Sequence, residues 1–240
     1  DLKKALAGKM VSTDMAINAY SESMSGSSSV KDFETMLQLI YLQFTAPRYD
    51  EEAYRTLIGL FHNKLINKDK NPKSVFTDSV SLMGSNHSPR TAIWNIETLN
   101  QVSLDKALAI YRQRFANPAD FTFVLVGNIN PADKATQKLI CQWLGGMKTN
   151  KQRESFRDNG VRTPLGIQKN YFEREMETTT ASNRIQYTSY DIPYSLANDL
   201  NMEMIGRILS TRYLESIRER EGGSYGVGCY GTVDIRPVPR

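Results

Sequence analysis

The sequence predicts an α+β chain in two parts, and three observations carry that prediction. Apolar residues recur at helical spacing in four stretches between Phe33 and Phe115. A compact apolar run, Phe121-Thr122-Phe123-Val124-Leu125-Val126-Gly127, reads as a strand that feeds a further helix. An aperiodic, polar and basic stretch then separates this group from a second set of strands, which leads into one long helix.

Taken in order, Leu2, Ala5 and Leu6 read as the tail of a helix that starts before Asp1. Met15 to Tyr20 reads as a strand, and Ser21 to Ser29 as a Ser/Gly turn. Ser29 and Asp32 form a capping-box-like start for the first full helix, whose stripe is Phe33, Met36, Leu37, Ile40, Tyr41 and Phe44. Pro47 stops it. Asp50 is an acceptable N-cap for a second helix with Ala53, Tyr54, Leu57, Ile58, Phe61 and Leu65 inward. Pro72 suits the first turn of a third, carrying Val75, Phe76, Val80 and Met83. Ser103 caps a fourth, with Leu104, Ala107, Leu108, Tyr111 and Phe115 inward. Helical spacing accounts for these aromatic stripes completely, so they read as core and not as a cofactor box.

After the strand at Phe121, Asn130 is placed to cap a helix, Pro131 to occupy its first position, and Asp133 to favour its positive end. Leu139, Ile140, Trp143 and Leu144 form its buried face, and Gly145-Gly146 ends it. Gly127 is followed by no further glycine pattern and no Gly-Lys-Ser/Thr, which argues against a nucleotide site. Residues 147–166 contain Gly160, Pro164 and Gly166 and lack periodicity. The domain boundaries are therefore drawn as 1–148 for a first domain, 149–167 for a linker and 168–240 for a second domain. Strands resume from Gln168 to Glu175 and from Arg184 to Tyr190. From about Tyr194 a long helix is lined by Leu196, Leu200, Met204, Ile205, Ile208, Leu209, Leu214 and Ile217. A lone strand after it would leave a thin sheet with open edges, so both domains are expected to be incomplete within this chain.

Composition excludes several classes. Hydrophobic residues at 40% and charged residues at 23% fit a folded globular chain of one or two domains. A net charge of +4, spread along the sequence, is too small and diffuse for nucleic-acid binding. The longest apolar run, Met36 to Phe44, is interrupted by Gln38 and Gln43 and falls well short of the roughly 20 residues of a membrane span. Cys141 and Cys229 are far apart and read as buried small hydrophobes, without a disulfide framework or metal site. Two cysteines permit either cytosol or periplasm.

The stretch Arg218-Glu219-Arg220-Glu221-Gly222-Gly223-Ser224-Tyr225-Gly226-Val227-Gly228 is the one with chemical content. A helix, a Gly-Gly turn and a strand would put Arg218 on the last helical turns and Tyr225 on the first strand residues, both facing one cleft. Capping alone explains the glycines equally well, with a solvated Arg218 and a packed Tyr225.

The order of elements resembles the pitrilysin-type zinc metallopeptidases, the inverzincins related to insulin-degrading enzyme. The matching features are the Phe121–Gly127 strand followed by Asn-Ile-Asn-Pro and Trp143-Leu144-Gly145; the helical stretch Phe33–Tyr54 with its Phe-Thr-Ala-Pro-Arg break; and Tyr111-Arg112-Gln113-Arg114-Phe115. Arg218 and Tyr225 also keep the seven-residue spacing of an Arg and a Tyr in that family's C-terminal half. The family's zinc motif, His-x-x-Glu-His, does not occur; His62 precedes Asn-Lys-Leu-Ile and His87 precedes Ser-Pro-Arg-Thr, so both read as exposed or loop histidines.

The resemblance implies two related domains of mainly antiparallel sheet covered by helices, and a place in the C-terminal, zinc-free half. It implies that Arg218 holds a substrate backbone carbonyl and that Tyr225 hydrogen-bonds the oxygen that gains charge in the transition state. Zinc is implied in the missing catalytic half, on the same chain or a separate subunit, and the substrate is implied to be a peptide or unfolded polypeptide. A bacterial periplasmic or cell-envelope location belongs to the same implication. The alternatives are an inactive structural or adaptor homologue, and a free-standing binding module that would be complete and monomeric by itself.

Overall fold

A computed structural model describes residues 2–150, 152–224 and 226–238. The elements run α1 (Leu2–Ala5), β1 (Val11–Ile17), β2 (Glu22–Ser28), α2 (Phe33–Thr45), α3 (Glu51–Leu65), α4 (Pro72–Gly84), α5 (Ile96–Asn100), α6 (Leu104–Arg114), α7 (Lys134–Ile140) and α8 (Leu196–Tyr213). Helix and antiparallel sheet are thus both present, as an α+β chain requires. Among the described residues the sheet is the two-stranded β1–β2 hairpin. The chain divides into two compact units, Asp1–Lys70 with Trp94–Arg157, and Asn71–Ile93 with Asp158–Arg240.

In the first unit the hairpin corrects the expected Ser/Gly turn: Glu22–Ser28 is strand β2, paired antiparallel with β1 so that Met15 faces Met24. Serines and glycine are poor strand formers, which is why the sequence reads as a loop. Pairing with β1 bonds the backbone groups along one edge of β2, while Met24 packs on the core. Gly26 lies against α2, where a Cβ would fall 2.9 Å from the Met36 sulfur. The Ser29–Asp32 pair is also not a capping box. Asp32 is buried and its carboxylate accepts from Ser29 Oγ at 2.6 Å and from the Met10 backbone N–H at 2.9 Å. It thus ties the entry of α2 to the start of β1, and these hydrogen bonds, Ser29 first, hold its carboxyl below the ordinary range.

Helix α2 buries the stripe its spacing predicts. Met36, Leu37 and Ile40 form the core with Leu144 and Met147, and Leu37 is 0% exposed. Trp143 meets Tyr41 edge-on at 5.6 Å and its indole N–H donates to Glu34 at 3.3 Å. An aromatic cluster closes the C-terminal end of α2. Phe115, 1% exposed, stacks on Tyr111 and Phe121 and meets Phe44 edge-on. The Tyr111 hydroxyl donates to the Gln43 carbonyl at 2.7 Å, within the last helical turn, where carbonyls lack intrahelical donors. Burial pushes the Tyr111 phenol up from its ordinary value. The expected strand after Phe121 is anchored by that ring but joins no ladder among the described residues, and Val126 is 90% exposed.

Three smaller expectations shift. Helix α3 turns Tyr54, Ile58, Phe61 and Leu65 inward, as its spacing predicts, but Ala53 and Leu57 face outward. Helix α7 starts at Lys134 and not at Pro131: Asp133 is its cap, accepting from Thr136 N–H at 2.8 Å, while Asn130 caps the preceding turn through Ala132 N–H. Cys141 is exposed and Cys229 only half-buried, so neither is the buried small hydrophobe expected.

In the second unit α4 begins with Pro72 in the first turn, as predicted, and the structure adds Asn71 as its cap. Asn170 donates to Ser79 Oγ on α4 at 2.5 Å, and Tyr190 Oη accepts from the Thr163 N–H at 2.8 Å. Residues 168–175 and 184–190, expected as strands, form no ladder among the described residues. The apolar stripe expected to line α8 inward is instead mostly exposed: Leu200 is 49% and Ile208 53% exposed. Its inward face is a different one, described next.

Candidate functional site

Helix α8 is capped by Ser195, whose hydroxyl accepts from Asn198 N–H at 3.1 Å. Beyond Tyr213 the helix widens into a π-helical segment, Leu214–Arg220. Gly222 ends it with φ +60°, a left-handed conformation that favours glycine. Its N–H donates to the Arg218 carbonyl at 3.2 Å, and the Gly223 N–H to the Ile217 carbonyl at 2.9 Å. Each reach is one residue longer than in the Schellman closure of an α-helix, as the wider π winding requires. The Gly-Gly turn expected from the sequence is therefore present, closing a π-helix.

Past the turn the chain runs back along α8. Burial alternates from Gly226 to Val233, with Val227, Cys229, Gly231 and Val233 inward and the residues between them exposed. This is the period of a strand. In place of a ladder, α8 side chains satisfy the backbone. Ser210 Oγ donates to the Cys229 carbonyl at 2.7 Å and accepts from the Cys229 N–H at 2.7 Å. Asp199 Oδ1 accepts from the Val233 N–H at 3.0 Å. Between these bonds the two backbones touch: a Cβ on Gly206 would lie 2.8 Å from Tyr230 Cα and from the Gly231 nitrogen. A Cβ on Gly231 would lie 2.6 Å from the Met202 carbonyl oxygen. Tyr230 turns outward, where its ring carries the guanidinium of Arg184 at 4.9 Å and its hydroxyl bonds that same group.

Of the two site residues predicted, Arg218 lies on the π-helical segment with its side chain 48% exposed and Nε 3.5 Å from Glu219 Oε1. Tyr225 lies outside the described residues. The predictions missed Asp199, Gly206, Ser210 and Gly231. A signal for them exists: glycine inside a helix costs about 1 kcal/mol relative to alanine, so Gly206 calls for a packing reason, and Gly206 with Ser210 makes a small-x-x-x-small pair.

No group of three or more His, Cys, Asp or Glu among the described residues is arranged to hold a metal ion. His62 is exposed on α3 and His87 is exposed in the turn after α4. The described residues of this chain therefore do not fit a zinc site. No helix among them is long and apolar enough to cross a membrane.

The family profile described as "Peptidase M16 inactive domain" matches residues 101–235, more than half of the chain and the whole of the α8–turn–return unit. The chain belongs to the M16 peptidase family. It is 26% identical over 207 residues to a protein of Arabidopsis thaliana named "Zinc protease PQQL-like", covering 81% of this chain and 21% of that relative. It is 24% identical over 233 residues to the "Probable zinc protease PqqL" of Escherichia coli (strain K12), covering 97% of this chain and 25% of the relative. The chain thus spans a quarter or less of the length of these relatives. No solved structure gives a significant match. The pitrilysin-type resemblance is confirmed at the level of the M16 family, and the matching region is the kind its description calls inactive.

Proposed function

We propose that this chain is the substrate-binding, zinc-free portion of a zinc-dependent endopeptidase, and that it completes the active site of a separate zinc-bearing half. The observation that carries the reading is the match to an inactive M16 domain across a helix, Gly-Gly turn and returning segment that contains both Arg218 and Tyr225. In this reading Arg218 donates a fork of hydrogen bonds to a carbonyl of the peptide substrate at any working pH. Tyr225 donates its phenolic hydrogen to the oxygen that gains negative charge when the scissile carbonyl is attacked. Half exposure and a loose contact with Glu219 leave the Arg218 guanidinium free to take such a partner. A π-helical segment at this point supports the reading, because π-turns recur at functional sites. Two related antiparallel α+β domains, at 1–148 and 168–240 around a linker at 149–167, belong to the same proposal.

The test is to measure zinc content and hydrolysis of a fluorogenic peptide by this chain alone, and again with the zinc-bearing half added. The chain alone is expected to be inert and zinc-free, activity is expected on mixing, and Tyr225→Phe is expected to lower kcat by about 10²–10³-fold, the usual effect of a lost oxyanion donor. No activity on mixing would favour an inactive structural homologue. Activity indifferent to Tyr225→Phe would remove Tyr225 from the site.

A further inference from the structure

The stretch expected to be a free linker is tied down over its first part. Asn117, in the turn after α6, holds it at two points with one carboxamide. Its Oδ1 accepts from the Thr149 hydroxyl at 2.7 Å and from the Asn150 N–H at 3.4 Å, and its Nδ2 donates to the Gln152 carbonyl at 2.7 Å. Nδ2 also donates to Asp120 Oδ2 at 3.1 Å, and Asp120 Oδ1 in turn accepts from the Glu154 N–H at 2.7 Å. The Glu154 carboxylate lies 3.9 Å from Arg114, which also reaches Glu22 of β2 at 3.5 Å. Phe156 packs its ring against Tyr20, in the β1–β2 turn, at 5.6 Å. The contacts thus recur at Asn150, Gln152, Glu154 and Phe156, the period of an extended strand. Side chains of the first unit stand in for a neighbouring strand, and they come from the hairpin turn, the end of α6 and the turn after it.

The tie stops at Phe156. Arg157 and Asp158 are exposed, and among the described residues their N–H groups donate no hydrogen bond. At Asp158 a separate set of bonds begins. Its carboxylate accepts from the Gly160 N–H at 2.8 Å and from Arg162 Nη1 at 3.0 Å, around a glycine at φ +75°. The boundary between the two units falls at the same place, between Arg157 and Asp158. The other passages between the units are pinned on the first unit as well. The chain leaves it after Lys70 and returns at Trp94. Lys68 Nζ donates to the Trp94 carbonyl at 3.1 Å, and Phe61 stacks on the Trp94 ring at 5.5 Å, so exit and re-entry close into one stem.

We propose that residues 149–156 are a strap of the first unit, latched by Asn117, and that this passage to the second unit articulates at Arg157–Asp158. A free linker from 149 to 167 would turn anywhere along its length; a strap leaves two residues to turn. The latch is releasable, because its bonds are exposed and compete with water. Opening it would lengthen the joint back to residue 149. The strap is independent of the proposed role in peptide hydrolysis.

The test is hydrogen–deuterium exchange of this chain, read residue by residue across 148–160. The Glu154 N–H is expected to exchange at least about 10-fold more slowly than in an open chain, while Arg157 and Asp158 exchange at the open-chain rate. Asn117→Ala is expected to remove most of the Glu154 protection and to admit trypsin at Arg153. Thr149→Val deletes one bond to the latch from the exposed side, is expected to lower the protection about 3-fold, and serves should the alanine variant not fold. Asn117→Asp keeps the acceptor but loses the donor to Gln152, and is expected to behave like Asn117→Ala. Open-chain exchange at Glu154 in the unaltered chain would overturn the strap. Arg157 and Asp158 as protected as Glu154 would overturn the articulation. Glu154 protection that survives both Asn117→Asp and Thr149→Val unchanged would overturn Asn117 as the latch.

Discussion

Helices α2 and α8 both carry a predicted apolar stripe, and they bury opposite kinds of face. Helix α2 puts Met36, Leu37 and Ile40 into the core of the first unit. Helix α8 turns Asp199, Met202, Gly206 and Ser210 onto the returning segment and leaves Leu200, Met204, Ile205 and Ile208 exposed. The forces differ accordingly. Burying a side chain such as Leu37 is worth about 1.5–3 kcal/mol through area removed from water. Each hydrogen bond that Ser210 or Asp199 makes with the returning backbone contributes about 1 kcal/mol net, and the close approach at Gly206 adds dispersion contacts between backbones. Hydrophobic periodicity therefore says that a helix has an apolar face. It does not say which element covers that face, or that the chain covers it at all.

The comparison breaks most visibly at Leu37. Leu37→Ala in this chain removes a fully buried side chain from the centre of α2 packing. The expected loss is about 2–5 kcal/mol, transfer plus cavity, read as a lowered urea midpoint. A loss under about 0.5 kcal/mol, the range of surface substitutions, would mean that α2 is not the organising helix of the first unit.

The corresponding test on α8 is Gly206→Ala. Alanine gains about 1 kcal/mol of helix propensity over glycine. Against that, its Cβ would meet three backbone atoms of Tyr230 and Gly231 within 3.0 Å, and overpacking of this kind costs about 1–3 kcal/mol. The steric term is expected to win, because backbone cannot step aside as a flexible side chain can. A net stabilisation on thermal unfolding would show that the returning segment does not sit against the helix at this point.

A pH measurement sharpens the first side of the comparison. The Asp32 carboxyl is held below its ordinary value of 3.8 by Ser29 and by the Met10 N–H. A depressed carboxyl stabilises the folded state fully above its unfolded pKa of about 3.9, and that contribution disappears as pH falls through the lower folded value. Asp32→Asn is therefore expected to lower stability at neutral pH and to flatten the stability-versus-pH curve below about pH 4. An unchanged acid limb would mean that the hairpin is not tied to α2 through this carboxylate.

Much of this was legible in the sequence, for a reason the two helices share. Caps and breakers act over a few residues, so Asp50, Pro72, Ser103 and the Gly222–Gly223 turn read correctly or nearly so. Helix α2 read correctly because its partners, the hairpin and the π-helical turn Cys141–Gly145 that follows α7, cover its apolar stripe. The misses came where long-range contacts override local preference. Strand β2 is made mostly of serines and glycine and forms because β1 is adjacent to pair with it. Asn130 has the chemistry of a cap, but Asp133 holds the position from which the helix starts. In α8 the informative residues were the ones an apolar template skips, Gly206 and Ser210. The Arg218–Tyr225 spacing was legible only as a family resemblance, since capping explains the same glycines.

The smallest effect expected is the most discriminating one. Ile208 is as apolar as Leu37 and sits mid-helix, but it is 53% exposed. Ile208→Ala in this chain alone is expected to change stability by no more than about 0.5 kcal/mol, the range of surface substitutions away from special features. Part of even that change comes from the better helix propensity of alanine, which opposes the lost contacts. Repeated with the proposed zinc-bearing half present, the same variant asks whether assembly covers the stripe. A cost that appears only in the mixture would place the α8 stripe at an interface, as a contiguous exposed apolar surface predicts. A cost in the chain alone that matches Leu37→Ala would erase the difference between the two helices.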